Sequence, residues 1–262
     1  MKTLKSAFIG TFILFLAACS TVPLTGRKQL SLVNESEIQQ QAGQAYRQFL
    51  SNPKTRVVSN SSDAQRVKTI GGRIANAIGR YMSQNGYGDQ YNYKWEFNLV
   101  ESKDINAWCM PGGKVAVYTG ILPVTGTDAG LATVMGHEIA HAIAHHASER
   151  ASQGAAAQMG GGLIGAATGG SEAMGQLYGL GGQLALLKYS RNQESEADRL
   201  GLIFMAMAGY NPQSAVDFWT RMSKAKEGGG APPEFLSTHP SDETRIRAIQ
   251  KRLPEALKYY NK

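Results

Sequence analysis

Residues 136–146 read Gly-His-Glu-Ile-Ala-His-Ala-Ile-Ala-His-His and hold four of the chain's five histidines. Within them, His137, Glu138 and His141 form H-E-x-x-H. Positions four apart share one face of a helix, so both imidazoles can ligate a single ion. Glu138 leans over the same face, within reach of a proton on a metal-bound water. Metal binding lowers the pKa of such a water toward 7, which makes it a nucleophile at neutral pH. The chemistry implied is metal-assisted hydrolysis.

A catalytic zinc site needs three protein ligands and one open position. The candidates for the third are His145, His146, His239, Glu194 and Glu196. His145 continues the face of His141 but sits about 6 Å further along the axis, which strains a single-metal site unless the helix breaks. The spacing with a third histidine six residues after His141 is excluded, because that position is Ala147. Residues 191–198 read Arg-Asn-Gln-Glu-Ser-Glu-Ala-Asp, with Glu194 and Asp198 on one helical face. One of the two can bind metal while the other holds the outer nitrogen of a ligating histidine. The alternative reading is a solvated charged face.

These residues need helices to position them. Asp128 is expected to cap a helix running to about Arg150. A second is expected over Leu184–Ala208. Asn34 with Glu37 three residues on resembles a capping box opening a helix to about Leu50. Val67, Ile70, Ile74, Ala77, Ile78 and Tyr81 have amphipathic spacing within 63–82. Strands are expected at Tyr91–Val100, Ile105–Met110 and Lys114–Thr119, the last two joined by Pro111-Gly112-Gly113. Helices are further expected at Pro212–Lys224 and Ser241–Arg252. Residues 154–183 are rich in glycine and nearly uncharged, which weakens helix propensity. They suit a packed helical hairpin, a flap near the cleft or a membrane contact. The fold class expected is α+β, mainly helical, with a small sheet lining the cleft.

H-E-x-x-H followed about 50 residues later by E-x-x-A-D resembles the gluzincin metallopeptidases of the forty-eighth family. The resemblance implies a zincin-like domain holding one zinc ion per chain. It implies Glu194 as third ligand, Glu138 as general base, and Asp198 as the partner of a zinc-bound histidine, His137. On this alignment Glu196 faces away from the metal and is expected to be dispensable, and His145 and His146 are structural. Asn106-Ala107, before Pro111-Gly112-Gly113, is similar to the substrate-binding edge of gluzincins. His239-Pro240, followed by Arg245, resembles the family's late histidine-proline motif. There His239 is expected either to stabilise the oxyanion or to act as a fourth zinc ligand that silences the site. The spanning helices of the prenyl- and heat-shock-type members are missing, so a farnesylated substrate is not expected. The helical-repeat extension of some periplasmic members is not expected either.

The amino terminus reads as an address. Lys2 and Lys5 precede an uncharged apolar run, Ser6 to Ala18, of signal-peptide length and short for a membrane span. It ends Leu16-Ala17-Ala18-Cys19, which resembles a bacterial lipobox with Cys19 as the lipid-modified residue. Several acyl chains at about 0.8 kcal/mol per methylene anchor a protein stably. Ser20 in place of aspartate implies sorting to the outer membrane. Cys109 is then left as a lone, buried thiol.

Composition narrows the rest. The chain has 262 residues, a 42% hydrophobic content and two cysteines, so neither a multi-span membrane protein nor a disulfide framework fits. Removing the two leader lysines takes the net charge from +7 to +5, too mild an excess to imply nucleic acid. The expected organisation is a signal peptide (1–18), a lipidated tether (19–33) and one metallopeptidase domain (34–262). The expected function is zinc-dependent cleavage of unfolded or misassembled envelope proteins on the periplasmic face. The rival is a non-proteolytic, chaperone-like factor for outer-membrane protein assembly.

Overall fold

The computed structural model describes residues 19–162, 189–227, 235–236, 239 and 243–260. The polypeptide opens with a two-stranded antiparallel hairpin, β1 (Cys19–Thr21) and β2 (Lys28–Leu30). Helix α1 (Glu35–Ser51) follows, then β3 (Val57–Val58), α2 (Ser62–Gln84), β4 (Glu96–Val100), β5 (Ala107–Met110) and β6 (Lys114–Tyr118). A short helical segment at Leu122–Thr125 leads into α3 (Asp128–Ile143) and α4 (His146–Gly162). The remaining helices are α5 (Arg191–Met207), α6 (Ser214–Glu227) and α7 (Glu243–Leu257). The fold is α+β and mainly helical, as expected.

The larger sheet has the order β3-β4-β6-β5. Only β4 and β6 run parallel; the other two pairings are antiparallel. The strand β5 is therefore an edge strand, and it packs on α3. Residues 91–95, expected to begin β4, lie outside the strand. Their aromatic rings nevertheless continue its pattern: Tyr93, Trp95 and Phe97 stack in turn at centroid distances of 5.1 and 5.8 Å.

From Gly130 to Ile143 every residue of α3 is buried. Such a helix has no solvated stripe, because the sheet lies on one side and helices on the others. Its cap is Thr127 rather than Asp128: the Thr127 hydroxyl accepts from Gly130 N at 3.0 Å. Nor does the helix run on to Arg150. It ends at Ile143 with Ala144 as its C-cap, His145 takes a left-handed φ of 52°, and α4 restarts at His146. Two histidine–carboxylate contacts reward the break, His145 Nδ1 to Glu35 at 3.0 Å and His146 Nε2 to Glu196 at 3.0 Å.

The helices α3 and α5 make the most extensive contact in the fold. A pair of glycines lets their backbones touch. A Cβ at Gly136 would lie 2.9 Å from the Gly201 carbonyl oxygen, and one at Gly201 would lie 2.9 Å from His137 N. Helix α5 starts at Arg191 behind a full capping box, Ser190 with Gln193, and ends within one residue of the expected Ala208; residues 184–188 of the expected helix lie outside the described residues. At α1 the Asn34 side chain accepts from Ser36 N at 2.9 Å. The cap is real, though it is not the box expected with Glu37.

Residues 19–33, expected as a tether, fold back onto the domain. Val22 is fully buried, and the backbone N–H groups of Leu32 and Val33 donate to the Ser152 hydroxyl at 2.9 and 3.3 Å. Cys109 is buried, as expected. The leader (1–18), most of the glycine-rich stretch (163–188) and the loop expected before His239 (228–234) lie outside the described residues.

Candidate active site

Two buried helices supply the first four residues of the site. His137, Glu138 and His141 project from α3, and Glu194 from the first turn of α5. His239 arrives from the segment before α7. The ligating atoms of His137, His141, Glu194 and His239 all lie within 4.8 Å of one another, and all four residues are buried.

Their spacing can be tested against a metal. A tetrahedral zinc with bonds of about 2.0–2.1 Å holds its ligand atoms about 3.3–3.4 Å apart. Here His137 Nε2 lies 3.1 Å from His141 Nε2. Glu194 Oε2 lies 3.5 Å from His137 Nε2, and Glu194 Oε1 lies 3.4 Å from His141 Nε2. His239 Nε2 is 3.7 Å from Glu194 Oε1. Two imidazole nitrogens and a carboxylate thus enclose one ion-sized space, with a third imidazole at its rim. Glu138 Oε1 and Glu194 Oε1 are buried there without a hydrogen bond among the described residues. A buried acceptor left so costs about 1–3 kcal/mol, a cost a cation and its water remove. The donor set therefore fits zinc.

The charges around the space follow from burial and neighbours. Burial pushes the Glu138 carboxyl up to about 8. It pushes His141 well down and His239 down to about 3. Burial also works against a charged His137, but Asp198 and Glu194 outweigh it and hold the imidazole up at about 9. Glu194 resists burial in the same way and stays well below the usual carboxylate range beside His239, His137 and His141.

Asp198 Oδ1 lies 3.0 Å from His137 Nδ1. Arg245 locks it with a two-pronged contact, Nε to Oδ2 at 2.9 Å and Nη2 to Oδ1 at 2.8 Å. The same guanidinium reaches Glu194 at 3.2 Å and lies 3.6 Å from the centroid of Trp219. Asn106 and Ala107 stand at the start of β5, both buried. The Asn106 side chain is turned back to accept from Ala107 N at 2.8 Å, and its carbonyl accepts from Tyr118 N at 3.0 Å.

Sequence reasoning missed three participants. Tyr189 stacks on His141 with ring centroids 3.9 Å apart. Trp219 supports Arg245. His146, read as merely structural, contacts His141 directly, Nδ1 to Nδ1 at 2.8 Å. Glu196 is not among the clustered donors, and its Oε2 meets His146 Nε2 at 3.0 Å. No local pattern marks Tyr189 or Trp219; the doublet His145-His146 after H-E-x-x-H was the one available sign.

Proteins similar to this sequence include three proteases of different origin. The chain is 31% identical over 241 residues to the mitochondrial metalloendopeptidase OMA1 of Schizosaccharomyces pombe, covering 90% of this chain and 66% of that protein. It is 27% identical over 213 residues to the metalloprotease LoiP of Escherichia coli, covering 79% and 77%. It is 30% identical over 165 residues to a Vibrio cholerae protein provisionally described as a beta-barrel assembly-enhancing protease, covering 60% and 34%. The chain thus spans just under two thirds of the OMA1 relative and about a third of the Vibrio one. The model of peptidase family M48 matches residues 61–253, a span that contains every residue of the metal group, and the chain belongs to that family.

Proposed function

We propose that this protein is a zinc endopeptidase of the bacterial cell envelope that cuts unfolded or misassembled proteins. The observation that carries the reading is Glu138 Oε1, buried without a hydrogen bond beside the four clustered donors. His137, His141 and Glu194 hold the ion. Zinc bound there supplies Lewis acidity, acidifying a water and polarising the scissile carbonyl. Glu138 is the proton carrier. Buried beside the four clustered donors, it is placed to take a proton from the attacking water and to release it to the leaving amine. Asp198, fixed by Arg245, keeps the His137 ring turned toward the ion. Asn106 and Ala107, at the edge strand, are the proposed contacts for an extended peptide.

His239 has two proposed roles, stabilising the oxyanion in catalysis or capping the metal as a fourth donor. Its Nε2 stands with the ligand atoms and 3.6 Å from Glu138 Oε1. That position suits a fourth donor, which closes the site to water in a resting state.

The envelope assignment rests on the leader and on Leu16-Ala17-Ala18-Cys19, with Cys19 proposed as the lipid-bearing residue and the outer membrane as its destination. Among the described residues no helix is long and apolar enough to cross a membrane. The description of the Vibrio relative favours outer-membrane clients, whereas the OMA1 relative is mitochondrial, so the family alone does not set the substrate. A chaperone-like role without cleavage is disfavoured by the retained Glu138.

The test is cleavage of a denatured outer-membrane protein by the purified chain. Fragments that vanish with a chelator and return with stoichiometric zinc are the expected result. Client binding without fragments under both conditions would transfer the protein to the assembly-factor class.

A further inference from the structure

Behind His141 lies a line of polar side chains that leads out of the metal site to the amino-terminal hairpin. His141 Nδ1 meets His146 Nδ1 at 2.8 Å. His146 Nε2 meets Glu196 Oε2 at 3.0 Å. Glu196 in turn accepts from the Thr25 hydroxyl at 2.5 Å and from Arg27 Nε at 2.7 Å. The other edge of the Arg27 guanidinium grips Glu149 at 2.7 and 2.9 Å, and Gln193 Nε2 braces that carboxylate at 2.8 Å. His146 is fully buried, and Glu149 and Glu196 nearly so. Thr25 and Arg27 reach them because the hairpin turn is built on two left-handed residues, Leu24 (φ 63°) and Gly26 (φ 68°).

We propose that this hairpin is a positioning strap for the metal site, in which Thr25 and Arg27 fix Glu196, Glu196 fixes His146, and His146 fixes the ring of His141. The inference rests on the zinc reading above. Only one arrangement of protons serves the whole line. With His141 Nε2 given to the ion, Nδ1 carries the hydrogen and donates to His146 Nδ1. His146 must then carry its own hydrogen on Nε2, which donates to the Glu196 carboxylate. Every imidazole stays neutral and every buried atom is used. The two ligand histidines thus have separate supports: Asp198 holds His137 directly, and Glu196 holds His141 through an intervening imidazole. The second support depends on residues about 170 positions away in the chain.

The experiment is a zinc competition against a chromophoric chelator, using the purified full-length protein, with the melting temperature of the zinc-free form measured in parallel. Wild type is measured first; if it binds no zinc, both this inference and the zinc reading fall. His146→Leu should weaken zinc binding by about 10- to 100-fold, the usual effect of losing a group behind a metal ligand. His146→Asn, whose carboxamide oxygen can still accept from His141, should recover part of that loss. Glu196→Gln and the double variant Thr25→Val/Arg27→Leu should each weaken binding by about tenfold. Ser152→Ala removes a different anchor of the same hairpin and should leave zinc affinity at the wild-type value. Wild-type affinity in folded Glu196→Gln and Thr25→Val/Arg27→Leu would overturn the proposal while sparing the zinc reading. So would an equal loss in Ser152→Ala, which would make the effect one of general docking. Should His146→Leu fail to fold, the strap variants, remote from the ion, decide alone.

Discussion

Asp198 Oδ1 lies 3.0 Å from His137 Nδ1, on the side of the ring away from the clustered donors. The carboxylate fixes both the rotation and the tautomer of a ligating imidazole. Asp198→Asn keeps the shape but presents a weaker acceptor. It should loosen zinc by about 10- to 100-fold with a lesser effect on the zinc-free fold. Equilibrium competition for zinc checks this, and an unchanged affinity would detach Asp198 from the site.

Glu138→Gln should lower the turnover rate by at least about 10²-fold, the lower range for losing a general base. Zinc content should stay near one ion per chain, because Glu138 carries protons and does not ligate. Emission spectrometry beside a casein assay separates the two. Loss of zinc would make Glu138 a ligand instead.

His239→Ala opens the proposed fourth position. Basal cleavage should rise, with zinc retained by the other three donors. A fall of about 10² to 10³ in turnover at wild-type zinc content would assign His239 to the oxyanion instead.

Cys19→Ala should release the protein from the membrane fraction, or leave it unprocessed, without harming the isolated activity. Incorporation of labelled palmitate reads the modification directly. Label that persists in the variant would place the lipid elsewhere.

Glu35 supplies a pH test far from the metal. Burial works against its ionisation, but His145 and the hydrogen bonds from Ser148 and Gln39 outweigh it and depress its pKa. A depressed carboxylate stabilises the fold above its unfolded value of about 4.5 and loses that contribution as pH falls toward the folded value. Wild type should therefore lose melting temperature more steeply than Glu35→Gln below about pH 4.5. Parallel acid curves for the two proteins would remove Glu35 from the account.

The parts of the site that sequence made legible are those fixed by helical spacing. His137 and His141 are four apart, as are Glu194 and Asp198, and each pair shares a face whatever the rest of the chain does. The break after Ala144 was not legible, because Ala144-His145-His146 contains no glycine, proline or asparagine. What stops the helix is tertiary: Glu35 takes one histidine and Glu196 the other. The strap was hidden for the same reason. Pro23 to Arg27 look like a polar linker, and the carboxylates that Thr25 and Arg27 serve lie more than 120 residues onward. Strand β4 was overextended because the stacked aromatics at 91–95 keep a strand's alternation without its ladder.

The contact between Gly136 and Gly201 governs more than packing. Neither residue touches an ion, a proton or a peptide, yet together they are the hinge pin that gauges the distance from the α3 histidines to Glu194. A single methyl at either position meets backbone at 2.9 Å, which no side-chain rearrangement can relieve. The helices must then part by some tenths of an ångström, and the donors part with them. In a saturation scan scored for zinc retention, these two columns should be blank for all residues but glycine, as barren as those of the ligands themselves. Activity maps would mark them as catalytic; they are a calliper.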